Sequence, residues 1–189
     1  PEFKFIDWSK KKELLDSKKI DCIWSSFTMT GRESQFLWAG PYLYSQQVVM
    51  VPKNSPIYSI KDLNGKVVGV QSTTKPVDLL LSGGKNIPKI KEMIVFPTKS
   101  ETVASLREGG VDAVAGHITA LYRYTVQEHF RFLSDALEEV RLGVAFPKSG
   151  DQKLVDALTN TLEDMKNEGL VDEIIQKYGL DPKPLVWGK

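Results

Sequence analysis

Short runs of apolar residues alternate along the chain with segments whose apolar residues recur at helical spacing. Residues 1–8 alternate apolar and polar side chains, which is typical of a strand. Residues 20–24 are apolar except for one aspartate, and this pattern indicates an inner parallel strand covered on both faces. Between them, residues 10–17 follow a capping residue, Ser9, and place two leucines on one side of a short helix. This order predicts a right-handed strand–helix–strand unit and therefore an α/β fold.

The rest of the chain continues the same alternation. Further strands are predicted at residues 46–51, 66–70, 93–96, 111–115, 130–133 and 140–146. Further helical segments are predicted at residues 59–65, 98–108, 118–128, 154–169 and 170–178. Thr98 and Glu101 have the spacing of a capping box at the start of one helix, and Gly40-Pro41-Tyr42 indicates a turn.

Two of the predicted strands divide the chain into lobes. The strands at residues 46–51 and 140–146 are long and lie far apart in the sequence, which implies a hinge of two strands. A polar, proline-containing break follows the first of them. We therefore predict lobe 1 over residues 1–48, lobe 2 over residues 49–141, and a return segment of lobe 1 over residues 142–189.

Composition narrows the class of protein. The chain has 189 residues, of which 41% are apolar and 26% charged, enough for a packed core. Its 25 basic and 24 acidic residues are scattered and give a net charge of +1, so no nucleic-acid partner is expected. Cys22 is the single cysteine, which excludes an intrachain disulfide and a thiolate metal site. We expect neither a metal nor a cofactor.

Small polar residues follow two of the predicted strands. Residues 25–31 bring hydroxyls and one glycine after the strand at residues 20–24, and Arg32 adds a planar cation that suits a carboxylate. Ligands of open α/β sheets lie at the carboxyl ends of strands, so this segment is a candidate binding site. The alternative is an ordinary loop whose arginine is merely solvated.

A second polar loop repeats this arrangement. Residues 71–76 follow the strand at residues 66–70 and enter a helix in which Pro76 suits the first position. An anion could bind the free N–H groups at the start of that helix. Trp24 alternates with two apolar residues of its strand, which predicts a core position rather than contact with a ligand.

Four motifs in order resemble a known family. They are residues 19–33, KIDCIWSSFTMTGRE; residues 40–42, GPY; residues 61–71, KDLNGKVVGVQ; and residues 110–114, GVDAV. The chain is similar, over nearly its whole length, to extracytoplasmic (periplasmic-type) solute-binding proteins of the polar amino-acid ABC uptake family. The resemblance implies a two-lobed, type II periplasmic-binding-protein-like fold with two hinge strands. It also implies closure of the lobes over an amino acid or related carboxylate, delivery to the membrane subunits of an ABC permease, and no enzymatic activity.

The resemblance also assigns ligand contacts. Trp8 matches an aromatic residue that packs on the ligand, Ser26 and Thr28 supply a backbone and a hydroxyl contact, and Arg32 clamps the α-carboxylate. From the opposite lobe, the resemblance implies contacts by Gln71, Thr74, Lys75 and His117.

His117 departs from the family, because most members have an aspartate there that pairs with the α-ammonium of the ligand. An imidazole does not replace that ion pair. Four explanations stay open: a ligand without a free α-amine, a carboxylate elsewhere in the protein, weak or absent binding, or an imidazole that points away. Our hypothesis is that His117 lines the cleft and shifts specificity.

Family members also begin with a strand and a helix that precede the segment at Phe3. Since the chain lacks them, the resemblance implies that it is a portion of a longer, monomeric, extracytoplasmic protein with a signal peptide and, in some members, a lipid anchor. An alternative is the ligand-sensing domain of a signalling receptor. A less favoured one is a small cleft enzyme such as a dehydratase.

Overall fold

The computed structural model describes residues 1–83, 87–180 and 185, and confirms an α/β fold. The chain forms two compact units. The first contains Pro1–Ser45 and Val140–Lys189, and the second contains Gln46–Glu139. The lobe boundaries predicted from the sequence, after residue 48 and after residue 141, stay a prediction.

Helices and strands alternate along the described chain. The α-helices are α1 (Lys11–Asp16), α2 (Lys75–Ser82), α3 (Lys99–Arg107), α4 (Ile118–Gln127), α5 (Gln152–Asn167) and α6 (Leu170–Lys177). The strands are β1 (Leu37–Pro52), β2 (Val67–Gln71), β3 (Glu92–Phe96), β4 (Ala113–His117), β5 (Phe130–Phe132) and β6 (Glu138–Phe146). Two short 3-10 helices lie at Trp8–Lys10 and Ile60–Leu63.

The second unit is built on a mixed sheet in the order β3-β2-β4-β1-β5, with β6 also pairing with β1. β2 is parallel to both β3 and β4, whereas β1 is antiparallel to β4 and β5. Alternate residues of β1 enter different cores: Val49 packs in one apolar cluster and Val48 and Met50 in the other. Both faces of this sheet are therefore covered, which explains why its strands are continuous apolar runs.

The first unit contains two apolar clusters. One cluster contains Leu15 of α1, Ala145 of β6, and Phe27 from the loop between α1 and β1, and all three residues are buried. The other joins β1 and β6 to α5, whose Val155 and Leu162 are buried. The predicted amphipathic helix after residue 150 therefore exists and packs through part of its apolar side.

The two strands predicted in the first 24 residues are wrong. Residues 1–7 have no helix or strand, and Phe3 and Phe5 are 87% and 110% exposed. In residues 20–24, only Ile23 pairs, through an antiparallel bridge to Ala145. An alternating or apolar pattern states which residues suit a strand, but a strand forms only where a neighbouring backbone completes its hydrogen bonds.

Two smaller predictions are also corrected. The turn predicted at Gly40-Pro41-Tyr42 lies inside the long strand β1, where Gly40 has a φ of 102° that a side chain would strain. Trp24 is 51% exposed rather than part of the core. The end of the return segment, residues 181–184 and 186–189, lies outside the described residues.

Candidate functional site

In the first unit, the buried ring of Phe27 brings together two residues that the sequence analysis selected. The Trp8 ring meets the Phe27 ring edge-on at 5.5 Å between centroids. The guanidinium carbon of Arg32 lies 5.4 Å from the Phe27 centroid. Phe27 itself is 2% exposed and packs on Trp38. A rigid aromatic core therefore positions both Trp8 and Arg32.

The backbone of Arg32 is fixed on both sides. Its N–H donates to the carbonyl of Met29 at 2.9 Å, and its carbonyl accepts from Trp38 Nε1 at 3.1 Å. The side chain is only partly buried. The guanidinium plane carries N–H donors whose geometry suits two parallel hydrogen bonds to a carboxylate.

The other two selected residues of this unit differ in exposure. Thr28 is buried and bridges to Leu142, whereas Ser26 is half-buried. Through the bridge to Leu142, Thr28 helps to join its loop to β6. The predicted contacts of Ser26 and Thr28 with a ligand stay predictions.

In the second unit, four selected residues lie at the carboxyl ends of two neighbouring parallel strands. The register pairs Val70 of β2 with Ala115 of β4, so Gln71 and His117 follow at one edge of the sheet. Thr74 precedes α2, and its hydroxyl donates to the Gln71 carbonyl at 2.6 Å. Thr74 makes no capping hydrogen bond to α2, so its side chain does not cover the N–H groups of the first turn.

Lys75, the first residue of α2, forms an ion pair within this edge. Its Nζ lies 3.5 Å from Oε2 of Glu138, and the two side chains are 13% and 29% exposed. Sequence reasoning missed Glu138, because an acidic residue at the start of a strand carries no local signal of what it faces. The lysine was selected as part of an anion site, and the structure gives it an acidic neighbour.

His117 is buried at the end of β4, with 8% of its surface exposed. Its Nδ1 lies 2.9 Å from Oγ1 of Thr119, while Nε2 is buried without a hydrogen-bond partner in the described structure. Burial lowers the pKa of His117 from 6.5 to about 4, so the imidazole is neutral at physiological pH. A neutral imidazole offers one donor and one acceptor but no negative charge.

Gln47 of β1 completes this edge. It stands opposite His117 in the antiparallel pairing of β1 with β4, and it is buried. The backbone carbonyl of Gln47 accepts from the backbone N–H of Leu137 at 2.8 Å, which places the residue before β6 beside β1. Gln47 was also missed, since a polar residue within an apolar run is equally common in a hydrogen-bonded core.

Within the described residues, no cluster of three or more His, Cys, Asp or Glu side chains could hold a metal ion. The described helices are all too short or too polar to cross a membrane.

Curated proteins similar to the chain are named as amino-acid-binding proteins. A probable histidine-binding protein of Neisseria gonorrhoeae is 29% identical over 185 residues, covering 94% of this chain and 67% of that protein. The L-cystine-binding protein TcyA of Bacillus subtilis is 23% identical over 180 residues, covering 94% of this chain and 65% of that protein. The chain thus spans about two-thirds of the length of these relatives.

Solved structures of the same kind resemble it in fold. An ancestral arginine-binding protein bound to arginine is 29% identical with a TM-score of 0.80, and the match covers 93% of this chain and 79% of that one. A substrate-binding protein of an ABC uptake transporter from Streptococcus pneumoniae, with bound histidine, is 26% identical with a TM-score of 0.82, covering 94% and 75%. The predicted periplasmic-binding-protein-like fold is confirmed.

A family model matches residues 1–181, almost the whole chain. The chain belongs to the bacterial extracellular solute-binding proteins, family 3.

Proposed function

We propose that this chain is the solute-binding part of an ABC-type amino-acid uptake system and binds a small ligand that carries a carboxylate. The observation that carries the proposal is the family match over residues 1–181. The names of the relatives agree with it, because they include binding proteins for histidine, cystine, glutamine and arginine. The ligand is delivered to the membrane subunits of a permease on the extracytoplasmic side, and the protein works as a monomer.

In the first unit, we assign the carboxylate contact to Arg32, packing on the ligand to Trp8, and polar contacts to Ser26 and Thr28. The contact of the Arg32 guanidinium with the buried ring of Phe27 supports this role, because it positions the cation before a ligand arrives.

In the second unit, the residues that we assign to ligand contact lie at the sheet edge where β2 and β4 end. They are Gln71, Thr74 and Lys75 at the start of α2, and His117. Polar groups at the carboxyl ends of parallel strands are the usual location of ligand contacts in α/β folds.

A thermal-shift screen tests whether anything binds. The purified protein is heated with each free amino acid, with the matching keto acids and with dipeptides. At a concentration of about 100 times Kd, a ligand stabilises the native state by about 2.7 kcal/mol, which a melting curve detects. Calorimetry then measures Kd for each hit. If no amino acid or related carboxylate raises the melting temperature, the proposed function is wrong.

Replacement of Arg32 tests the carboxylate contact. Arg32→Gln removes the cation and should weaken binding of the ligand by about tenfold or more, since a charge-assisted bidentate contact is lost. Arg107→Gln is the matched control, because it removes a guanidinium that pairs with Glu128 at 2.8 Å on an exposed surface. Equal affinities of the two variants would exclude Arg32 as the carboxylate contact.

Binding without turnover distinguishes this proposal from an enzyme. One similar structure, at 25% identity and a TM-score of 0.80, is an ancestral amino-acid-binding protein described as a precursor of cyclohexadienyl dehydratase. We propose a binding protein, so each hit incubated with the chain should be recovered unchanged by NMR. Protein-dependent conversion of a hit would favour the enzyme.

A further inference from the structure

The end of β4 belongs to a row of polar residues on four elements, which are β4, β1, β6 and α2. Gln47 of β1 stands opposite His117, and the Leu137 N–H donates to the Gln47 carbonyl at 2.8 Å. Glu138 follows directly and begins β6, which pairs with β1. The side chain of Lys75, the first residue of the helix that follows β2, reaches Glu138. The row therefore consists of His117, Gln47, Glu138 and Lys75 at one edge of the second unit.

Nε2 of His117 and Oε2 of Glu138 are among the buried atoms of this row that have no hydrogen-bond partner in the described structure. Both can accept a hydrogen bond, Nε2 when the proton of the imidazole is on Nδ1 beside Thr119. Buried acceptors without donors are unfavourable, and two of them in one row indicate that a donor arrives from outside the chain.

The ion pair with Lys75 leaves Glu138 able to accept that donor. Their separation of 3.5 Å is longer than a charge-assisted hydrogen bond, which is about 2.7–2.9 Å. A lysine at this distance places a positive charge beside the carboxylate without using its lone pairs in a direct hydrogen bond.

We propose that Glu138 is the carboxylate that receives the ammonium group of the ligand, with His117 as a second, neutral acceptor and Lys75 as the positioning residue. The inference rests on the proposed function, because it takes the ligand to be an amino acid. An ammonium group has three N–H donors and a positive charge, and it is taken out of water at low cost only beside an anion. His117 supplies an acceptor without charge, and Glu138 supplies the charge. The ligand class is therefore α-amino acids with a free amine.

Two substitutions one residue apart test the assignment. Glu138→Gln keeps the shape of the side chain and removes its charge, and Glu139→Gln removes the same charge from an exposed neighbour. Calorimetry measures the affinity of each variant for the best amino acid and for its deaminated analogue, which keeps the carboxylate and the side chain. Urea denaturation without ligand checks that both variants are folded.

Glu138→Gln should weaken binding of the amino acid by about tenfold or more, through the lost ion pair, and leave the analogue within about twofold. Glu139→Gln should change neither by more than about twofold. If the wild type binds the analogue too weakly to measure, the ammonium is required for binding. The ratio of the affinities of Glu138→Gln and Glu139→Gln for the amino acid then decides the assignment. Equal weakening of both ligands by Glu138→Gln would make Glu138 a structural residue and overturn the proposal, as would no weakening.

Lys75→Met separates positioning from contact. With the lysine gone, Glu138 loses its fixed orientation, so the amino acid should bind less tightly than to the wild type and more tightly than to Glu138→Gln, while the analogue is unaffected. Equal weakening of the analogue would give Lys75 a carboxylate contact instead of the positioning role. An unchanged affinity would remove Lys75 from the proposal. A wild type that binds no amino acid would instead refute the proposed function, and this inference with it.

Discussion

The imidazole of His117 is held in a neutral state by its surroundings, and this makes the stability of the protein depend on pH. Burial lowers its pKa in the native state from 6.5 to about 4, while the unfolded chain keeps the ordinary value. Between these two values the unfolded state binds more protons, so stability is greatest above pH 6.5 and decreases as the pH falls towards 4.

We expect the wild type to lose about 3 kcal/mol of unfolding free energy over this interval from His117 alone, since one unit of pKa shift corresponds to about 1.4 kcal/mol. Urea denaturation at each pH measures the loss. His117→Gln should lower the slope of stability against pH, whereas His129→Gln, on the surface, should leave it unchanged. A slope that is the same in all three proteins would show that His117 titrates normally.

Phe27 is the other single residue on which much depends, because four side chains meet its ring. Phe27→Ala should cost about 3–5 kcal/mol of unfolding free energy, the usual result of removing a buried aromatic ring. Phe5→Ala is the control: that ring is exposed, so the change should stay within about 0.5 kcal/mol. A loss for Phe27→Ala as small as that of the control would show that the aromatic cluster collapses without cost.

Among the helices, α3 has the most complete local signal. Thr98 Oγ1 accepts from the Glu101 N–H at 3.2 Å, and Glu101 Oε2 accepts from the Thr98 N–H at 3.0 Å. This capping box was predicted from the sequence and is confirmed. It could be predicted because both partners are three residues apart and need nothing else.

Thr98→Ala should therefore lower the unfolding free energy by about 1 kcal/mol. Ser100→Ala, two residues later in the first turn and exposed, should change it by less than about 0.5 kcal/mol. Thermal or urea unfolding of both variants measures the difference. A cap that contributes nothing would give the same stability for the two.

Local order differs strongly between the first seven residues and the sheet of the second unit. Residues 1–7 have no helix or strand, whereas β2 and β4 lie inside a sheet covered on both faces. Hydrogen exchange followed by mass spectrometry should show residues 2–6 exchanging at the rate of an unfolded peptide and β2 and β4 among the slowest segments. Strong protection of residues 2–6 would mean that these residues are paired in solution.

The sequence was sufficient for features that depend on neighbours in the chain. Periodicity found the strands and helices of the second unit, and the hydroxyl residues after β2 made the segment of Thr74 a candidate. These features depend on side-chain direction and on backbone groups a few residues away, which the order of residues fixes.

Other features depended on partners far along the chain. Residues 20–24 suit a strand but pair only at Ile23, with a residue more than a hundred positions later. The neutral state of His117 and the ion pair of Lys75 with Glu138 likewise arise from burial and from contacts between separate elements. Burial and pairing are properties of the assembled sheet, so only the three-dimensional arrangement shows which charges meet and which buried polar atoms lack a partner within the described residues.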